Sequence, residues 1–314
     1  MEQIKKFCKS RELLTGLLGL VIGLGLGILL CAPWNRAAAE MPNLEATVST
    51  QPGTTAATQT PTTMAPTVPT ATLPTLPIGP QPLQHHITPN HFREEDFVAD
   101  ENGYIACLEV ESWLGVDVSA HQRSIDWQKV ADAGVKFAMI RIAYRGWGAT
   151  GNLLADNYGV ANLDGAAAAG LQTGVYVFSQ AITVEEAIEE ARFALTLLDG
   201  RALDLPVVFD WETISSEDAR TNGLDNETLN ACAMAFCQEI EAAGYKPMVY
   251  FNQKMAKYQY DLTAFQKAGY DFWLAMYKES MTFAHHVQMW QYTSSGSVPG
   301  INGKVDLDLY FPGG

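Results

Sequence analysis

From Leu114 onward the chain alternates short apolar runs with amphipathic stretches, and this alternation limits the fold more than any other feature. Runs at 114–119, 136–143, 173–179, 206–212 and 247–252 read as strands, and 271–277, 287–293 and 305–311 extend the series to eight. Between the first five lie helix patterns at 126–134, 156–170, 183–199 and 226–243, each ending near a glycine or a turn. The third opens at Thr183 with Glu186 three residues on, a capping-box signature. Strand–helix alternation predicts a parallel sheet, and eight strands in roughly 200 residues predict closure into an α/β barrel. The gaps 277–287 and 293–305 leave no room for a good helix, so the barrel is expected to finish with short, antiparallel connections.

The segments before the barrel differ in kind. After Lys5, Lys6, Lys9 and Arg11, residues 13–32 run without a charge for about the length that crosses a bilayer. Positive charge ahead of such a run predicts a cytoplasmic segment 1–12, a transmembrane signal-anchor 13–32 and an exported remainder. A cleaved signal peptide is the competing reading, because "RAAAE" at 36–40 offers a small-residue cleavage site. Residues 33–90 read as a disordered linker: from 41 on Thr, Pro, Ala and Gln dominate with Glu45 the single charge, and the prolines favour extended chain. Residues 91–113 are expected as a short extension to the domain, with a hairpin around 101–103, and 114–314 as the barrel itself.

Charge and cysteine content narrow the chemistry. Beyond residue 90 the chain holds 15 basic against 31 acidic residues, which disfavours nucleic acid as a partner. Cys107, Cys232 and Cys237 are an odd number in the exported part, so no disulfide framework is expected. Ordinary buried cysteines are the reading, with a bridge from Cys107 to one of the others as the alternative.

Carboxylates interrupt the apolar strands. In "PVVFDWET" (206–213) Asp210 and Glu212 fall two positions apart at the end of the fourth strand, so they share one face while Trp211 takes the other. Burying such a pair is costly, and two acids on one face perturb each other until one holds a proton near neutral pH. Asp117 stands likewise near the end of the first strand, and "VDLDLYF" puts Asp306 and Asp308 on the last. Barrel closure makes the first and last strands neighbours, so Asp117 and one of Asp306 and Asp308 are expected to face Asp210 and Glu212 across one mouth. Asp126 and Asp225, beside helix starts, read as caps.

Aromatics cluster at the same strand ends: Tyr144, Trp147, Tyr176, Phe178, Trp211, Tyr250, Trp273, Tyr277, Trp290 and Tyr292. Most will be core, but a few lining the mouth would stack on sugar rings, and carboxylates with aromatics point to glycoside chemistry. The chain carries no G-x-S-x-G, no H-E-x-x-H and no phosphate-cradling glycine loop. Adjacent pairs His85–His86 and His285–His286 diverge, so neither a metal nor an organic cofactor is expected.

Taken in order, "GVDVSAHQ" with "IDW" (115–127), "FAMIRIAY.G" (137–146), "VVFDWE" (207–212), "YFN" (250–252), "FWLAMY" (272–277) and "MWQYTSSGSVPGINGKVDLD" (289–308) resemble the lysozymes of glycoside hydrolase family 25, the Chalaropsis-type N-acetylmuramidases. The resemblance runs from about Leu114 to Pro312. It implies an irregular TIM-like barrel, (β/α)5(β)3, and hydrolysis of the β-1,4 bond between N-acetylmuramic acid and N-acetylglucosamine in peptidoglycan. Glu212 matches the family's general acid, Asp210 its partner carboxylate, and Asp117 and Asp306 the other two site aspartates. Asp308 stands where the family more often has Asn. Tyr176, Phe178, Tyr250, Trp273, Tyr277, Trp290, Gln291, Asp308 and Arg141 are expected along the substrate path.

One departure is visible. The third strand of the family commonly reads Tyr-His-Phe, whereas here it reads Tyr176-Val177-Phe178, and the lost polar group falls either inside the barrel or outside it. The expected protein is a membrane-tethered bacterial cell-surface muramidase, secreted if the signal is cleaved. It would act as a monomer on peptidoglycan strands in wall remodelling. The alternative is a catalytically weak, surface-tethered peptidoglycan-binding protein.

Overall fold

The computed structural model describes residues 86–313. The expected cytoplasmic segment, the transmembrane stretch 13–32 and the linker as far as residue 85 lie outside the described residues. Among the described residues no helix is long and apolar enough to cross a membrane.

Structure begins inside the stretch expected as linker. Ile87 is buried, Thr88 bonds the Gln266 side chain, and Pro89 forms an antiparallel bridge with His285. A single 3₁₀ turn, Glu94–Asp96, leads into the hairpin β1 (Phe97–Ala99) and β2 (Ile105–Cys107). The left-handed φ of +80° at Gly103 makes its turn possible.

Eight strands then close a barrel: β3 (Trp113–Val118), β4 (Phe137–Arg145), β6 (Gln172–Ser179), β7 (Val207–Trp211), β8 (Pro247–Asn252), β9 (Asp271–Ala275), β10 (Met289–Gly296) and β11 (Val305–Tyr310). A short β5 (Leu153–Ala155) folds back antiparallel on the end of β4. The connecting helices are α1 (Trp127–Asp132), α2 (Gly159–Ala168), α3 (Val184–Leu198), α4 (Asn226–Ala242) and the short pair α5 (Gln253–Tyr258) and α6 (Leu262–Ala268). Five β/α units are thus followed by three strands without helices.

Local chemistry sets the helix starts. Asp126 and Asp225 accept from the backbone N–H groups of Lys129 and Thr228, as caps do. Thr183 accepts from the Glu186 N–H, but the return bond of the capping box goes one residue further, from the Ile182 N–H to Glu186.

The late connections differ in part from expectation. β10 and β11 pair antiparallel, and β11 pairs antiparallel with β3, but β10 lies parallel to β9. The segment between β9 and β10 makes that crossover without a helix, and it is the segment that receives the Pro89 bridge.

Strand alternation divides the core into two layers. Phe137, Met139, Tyr176, Val208, Met248, Tyr250, Trp273 and Met289 fill the barrel interior. Val116, Val177, Phe209, Trp211, Phe251 and Trp290 pack outward among the helices. Gly115 lies on the interior face, where an added Cβ would run into the Phe137 ring. Cys107, Cys232 and Cys237 are all free, so the bridge weighed for Cys107 does not form.

Candidate active site

The C-terminal ends of the strands gather the acids. Asp210 closes the inward face of β7, and Glu212, one residue past the strand's end, is near enough to act on it. Closure sets β11 beside β3, with Asp306 paired to Asp117 and Asp308 paired to Gly115. The carboxyls stand at graded depth: Asp308 is fully buried, Asp117 and Asp210 are 6% and 5% exposed, and Asp306 and Glu212 are half-buried at the rim.

Their electrostatics show that they share one site. Burial is the first cause raising Glu212 above the ordinary carboxyl range, and Asp306 on β11 adds to it. Asp210 is raised well above its usual value by burial and then by Glu212, with Arg141 opposing. Burial, Asp306 and Asp308 raise Asp117 in the same way. Tyr277 is pushed up by burial and by Asp306, Asp117 and Glu212, so its phenol lies in the field of acids from β11, β3 and the turn just past β7. Such a constellation can hold protons on carboxyls near neutral pH while keeping negative charge close by.

A hydrogen-bonded chain orients the deeper groups. Gln291, on β10, donates from Nε2 to Asp117 at 2.8 Å and accepts from the Tyr250 and Tyr277 hydroxyls at 3.0 and 3.1 Å. Trp273 Nε1 donates to Asp308 Oδ1 at 2.9 Å. Asp210 Oδ1 is buried without a hydrogen-bond partner among the described residues.

Several expected substrate contacts stand elsewhere. Trp290 is fully buried on the outward face, donates to the Met276 carbonyl and packs on Phe97 and Tyr292, so it has no surface for a ligand. Trp273 points inward but is 1% exposed; it is the support of Asp308, which is itself sealed off. Tyr176 packs edge-on against Trp273 within the field of Asp117 and Asp210, and Phe178 is half-buried beside Asp210 in the sheet register. Arg141 is held by Asp156 at 2.8 Å while still acting on Asp210. Tyr277 is 57% exposed and is the most accessible aromatic among those expected.

Sequence reasoning passed over a second polar group. Arg145, on β4, is buried and donates to Glu190 at 2.6 Å and Glu189 at 2.7 Å, and Arg220 pairs with Glu186. Gln180, fully buried just past β6, donates to the Glu212 main-chain oxygen at 2.8 Å. A polar residue directly after an apolar strand, in "YVFSQ", was the available signal. Among the described residues no three His, Cys, Asp or Glu side chains group as metal ligands.

Comparison with known proteins agrees with this geometry. Residues 116–301 match the model of glycosyl hydrolases family 25. An autolytic lysozyme of Clostridium acetobutylicum is 28% identical over 201 residues, which cover 63% of this chain and 56% of that protein. The solved structure of a family 25 glycosyl hydrolase from Bacillus anthracis superposes with a TM-score of 0.52 at 25% identity, over 72% of this chain and 94% of that one. The modular autolysin LytC of Streptococcus pneumoniae, solved with a synthetic peptidoglycan ligand, shares the fold with a TM-score of 0.56 at 22% identity, over 72% of this chain. The chain spans about half the length of the pneumococcal and clostridial proteins, at 52% and 56%. With more than half of its residues inside the matched segment, the protein belongs to glycosyl hydrolases family 25.

Proposed function

We propose that the protein is a lysozyme, an N-acetylmuramidase that hydrolyses the β-1,4 bond between N-acetylmuramic acid and N-acetylglucosamine in peptidoglycan. The observation that carries this reading is the convergence of Glu212, Asp210, Asp117 and Asp306 at one end of a family 25 barrel. The autolytic lysozyme among its relatives supports the same substrate class.

Glycoside hydrolysis needs an acid that is protonated when the bond breaks and negative charge beside the developing oxocarbenium ion. Glu212, half-buried at the rim and raised by burial and Asp306, can protonate the leaving glycosidic oxygen. Asp210, buried deeper beside it, keeps an Oδ1 without a hydrogen-bond partner among the described residues, and that atom can accept a hydrogen bond from the substrate or stabilise positive charge. Asp117 and Asp306 extend that negative field across the mouth. Tyr277 offers an exposed ring for stacking on a neighbouring sugar.

Export and tethering enter the same proposal on sequence grounds: the basic start, the uncharged run 13–32 and the Pro/Thr-rich spacer suit an enzyme held at the bacterial surface that trims wall within reach. The test is digestion of purified peptidoglycan by the full chain and by Glu212→Gln, with mass analysis of released fragments. Fragments ending in reducing muramic acid from the unmodified protein alone are expected. Binding to peptidoglycan without turnover by either protein would replace the enzyme with a wall-binding module.

A further inference from the structure

The sheet stops one residue short of Glu212. The last β6–β7 pair is Ser179 opposite Trp211, and β8 leaves β7 earlier, at Asp210 opposite Tyr250. The acid therefore hangs on backbone that no neighbouring strand holds. A side chain takes over at that point. Gln180 Nε2 donates to the Glu212 main-chain oxygen at 2.8 Å and to the Ser179 oxygen at 2.9 Å. Two carbonyls can be met only by the amide end of the side chain, and the Thr221 hydroxyl, 3.4 Å from Gln180 Oε1, accounts for the other end.

Neighbouring bonds lock the same turn. Trp211 Nε1 donates to the Ala181 oxygen at 3.2 Å, so the last residue of the ladder and the one after it are both stitched to the turn after β6. Arg220 donates to the Gln180 main-chain oxygen at 3.2 Å and to Glu186 on α3 at 2.5 Å. Burying an arginine and an uncharged amide here is costly unless they are bonded; the Arg220 bonds hold the Gln180 main chain and α3, and the Gln180 amide carries the link on to Glu212.

We infer that Gln180 is a positioning residue for Glu212: its side-chain amide supplies the rung missing from the β6–β7 ladder and so fixes the direction in which the Glu212 carboxyl enters the mouth. The inference rests on the reading of Glu212 as the acid. Small errors in placing a reacting group lower the rate far more than they lower binding, so the effect falls on kcat. A role in stability alone would lower Tm and leave kcat unchanged.

The experiment compares the full chain with Gln180→Met, which keeps the length but cannot donate, and with Thr221→Val, which frees the amide to turn. Initial rates on purified peptidoglycan and hydrogen exchange of the 209–216 segment are measured together. Expected are a kcat lower by roughly tenfold or more in Gln180→Met and by less in Thr221→Val, KM within about twofold, and faster exchange of that segment in both. Unchanged kcat and exchange in folded variants, or a lower Tm with kcat intact, would overturn the inference. If Gln180→Met does not fold, Thr221→Val decides by the same two readouts. If the unmodified protein releases no fragments, the lysozyme reading falls, and exchange alone still decides whether Gln180 holds the acid's backbone.

Discussion

Asp306 stands directly opposite Asp117 where β11 runs antiparallel to β3. Like charges on facing positions of adjacent strands are destabilising, so this pair opposes folding. Its charge reaches further than that pair: Asp306 raises Asp117, Asp210 and Glu212. A single aspartate on the closing strand thus tunes the acids of two other strands.

Asp306→Asn is expected to move the basic limb of the pH–activity profile to lower pH. The general acid must hold its proton, so activity falls as pH rises through its pKa. Asp306 raises Glu212, and removing that charge lets the Glu212 pKa drop toward the ordinary carboxyl value. Rates on peptidoglycan between pH 4 and pH 9 read this directly, and an upward move of the limb would refute it.

The buried brace beside the mouth makes a stability prediction. Burial raises Glu190 to about 7 against the opposing pull of Ser179 and Arg145. Its folded pKa is above its unfolded one, so the folded state binds the proton more tightly and stability falls as pH rises from the unfolded value of 4.5 through about 7. Arg145→Met removes the partner of a buried carboxylate and should cost about 3–5 kcal/mol at pH 8. At pH 5 the loss should be smaller, because Glu190 can then be neutral. Denaturant unfolding at the two pH values checks the ordering.

Val177→His tests the departure from the family pattern. Val177 is fully buried among the helices, facing away from the interior that holds Tyr176. Restoring the family's residue should therefore lower stability by about 1–3 kcal/mol, for burial of a polar ring, without a gain in rate. A rise in kcat on peptidoglycan would show that position 177 reaches the substrate.

Trp273→Phe should lower stability and leave KM nearly unchanged. The change takes the donor from Oδ1 of Asp308, a fully buried carboxyl. The cost is about 1–3 kcal/mol, the penalty of an unsatisfied buried group. A several-fold rise in KM without loss of Tm would return Trp273 to the substrate path.

Much of the barrel was legible because strand and helix periods are local properties. The eight apolar runs became the eight barrel strands, and Asp126, Thr183 and Asp225 cap helices as their positions predict. The nearness of Asp210 and Glu212 was equally legible from their spacing, although the strand expected to carry both stops at Trp211. The sequence by itself thus determined which segments are strands, where helices start and that two carboxyls stand two positions apart where the fourth strand ends.

Tertiary structure decided what depends on residues far apart in the chain. Closure brought Asp306, which lies beyond the family-matched segment 116–301, against Asp117. Depth in the barrel separated Tyr277, exposed at the rim, from Trp273 and Trp290, which periodicity could not tell apart from mouth residues. The end of the β6–β7 ladder, visible only once register is fixed, gave Gln180 its place under Glu212. Periodicity assigns a side chain to a face, but burial and partnership are set by whichever distant strand arrives on that face.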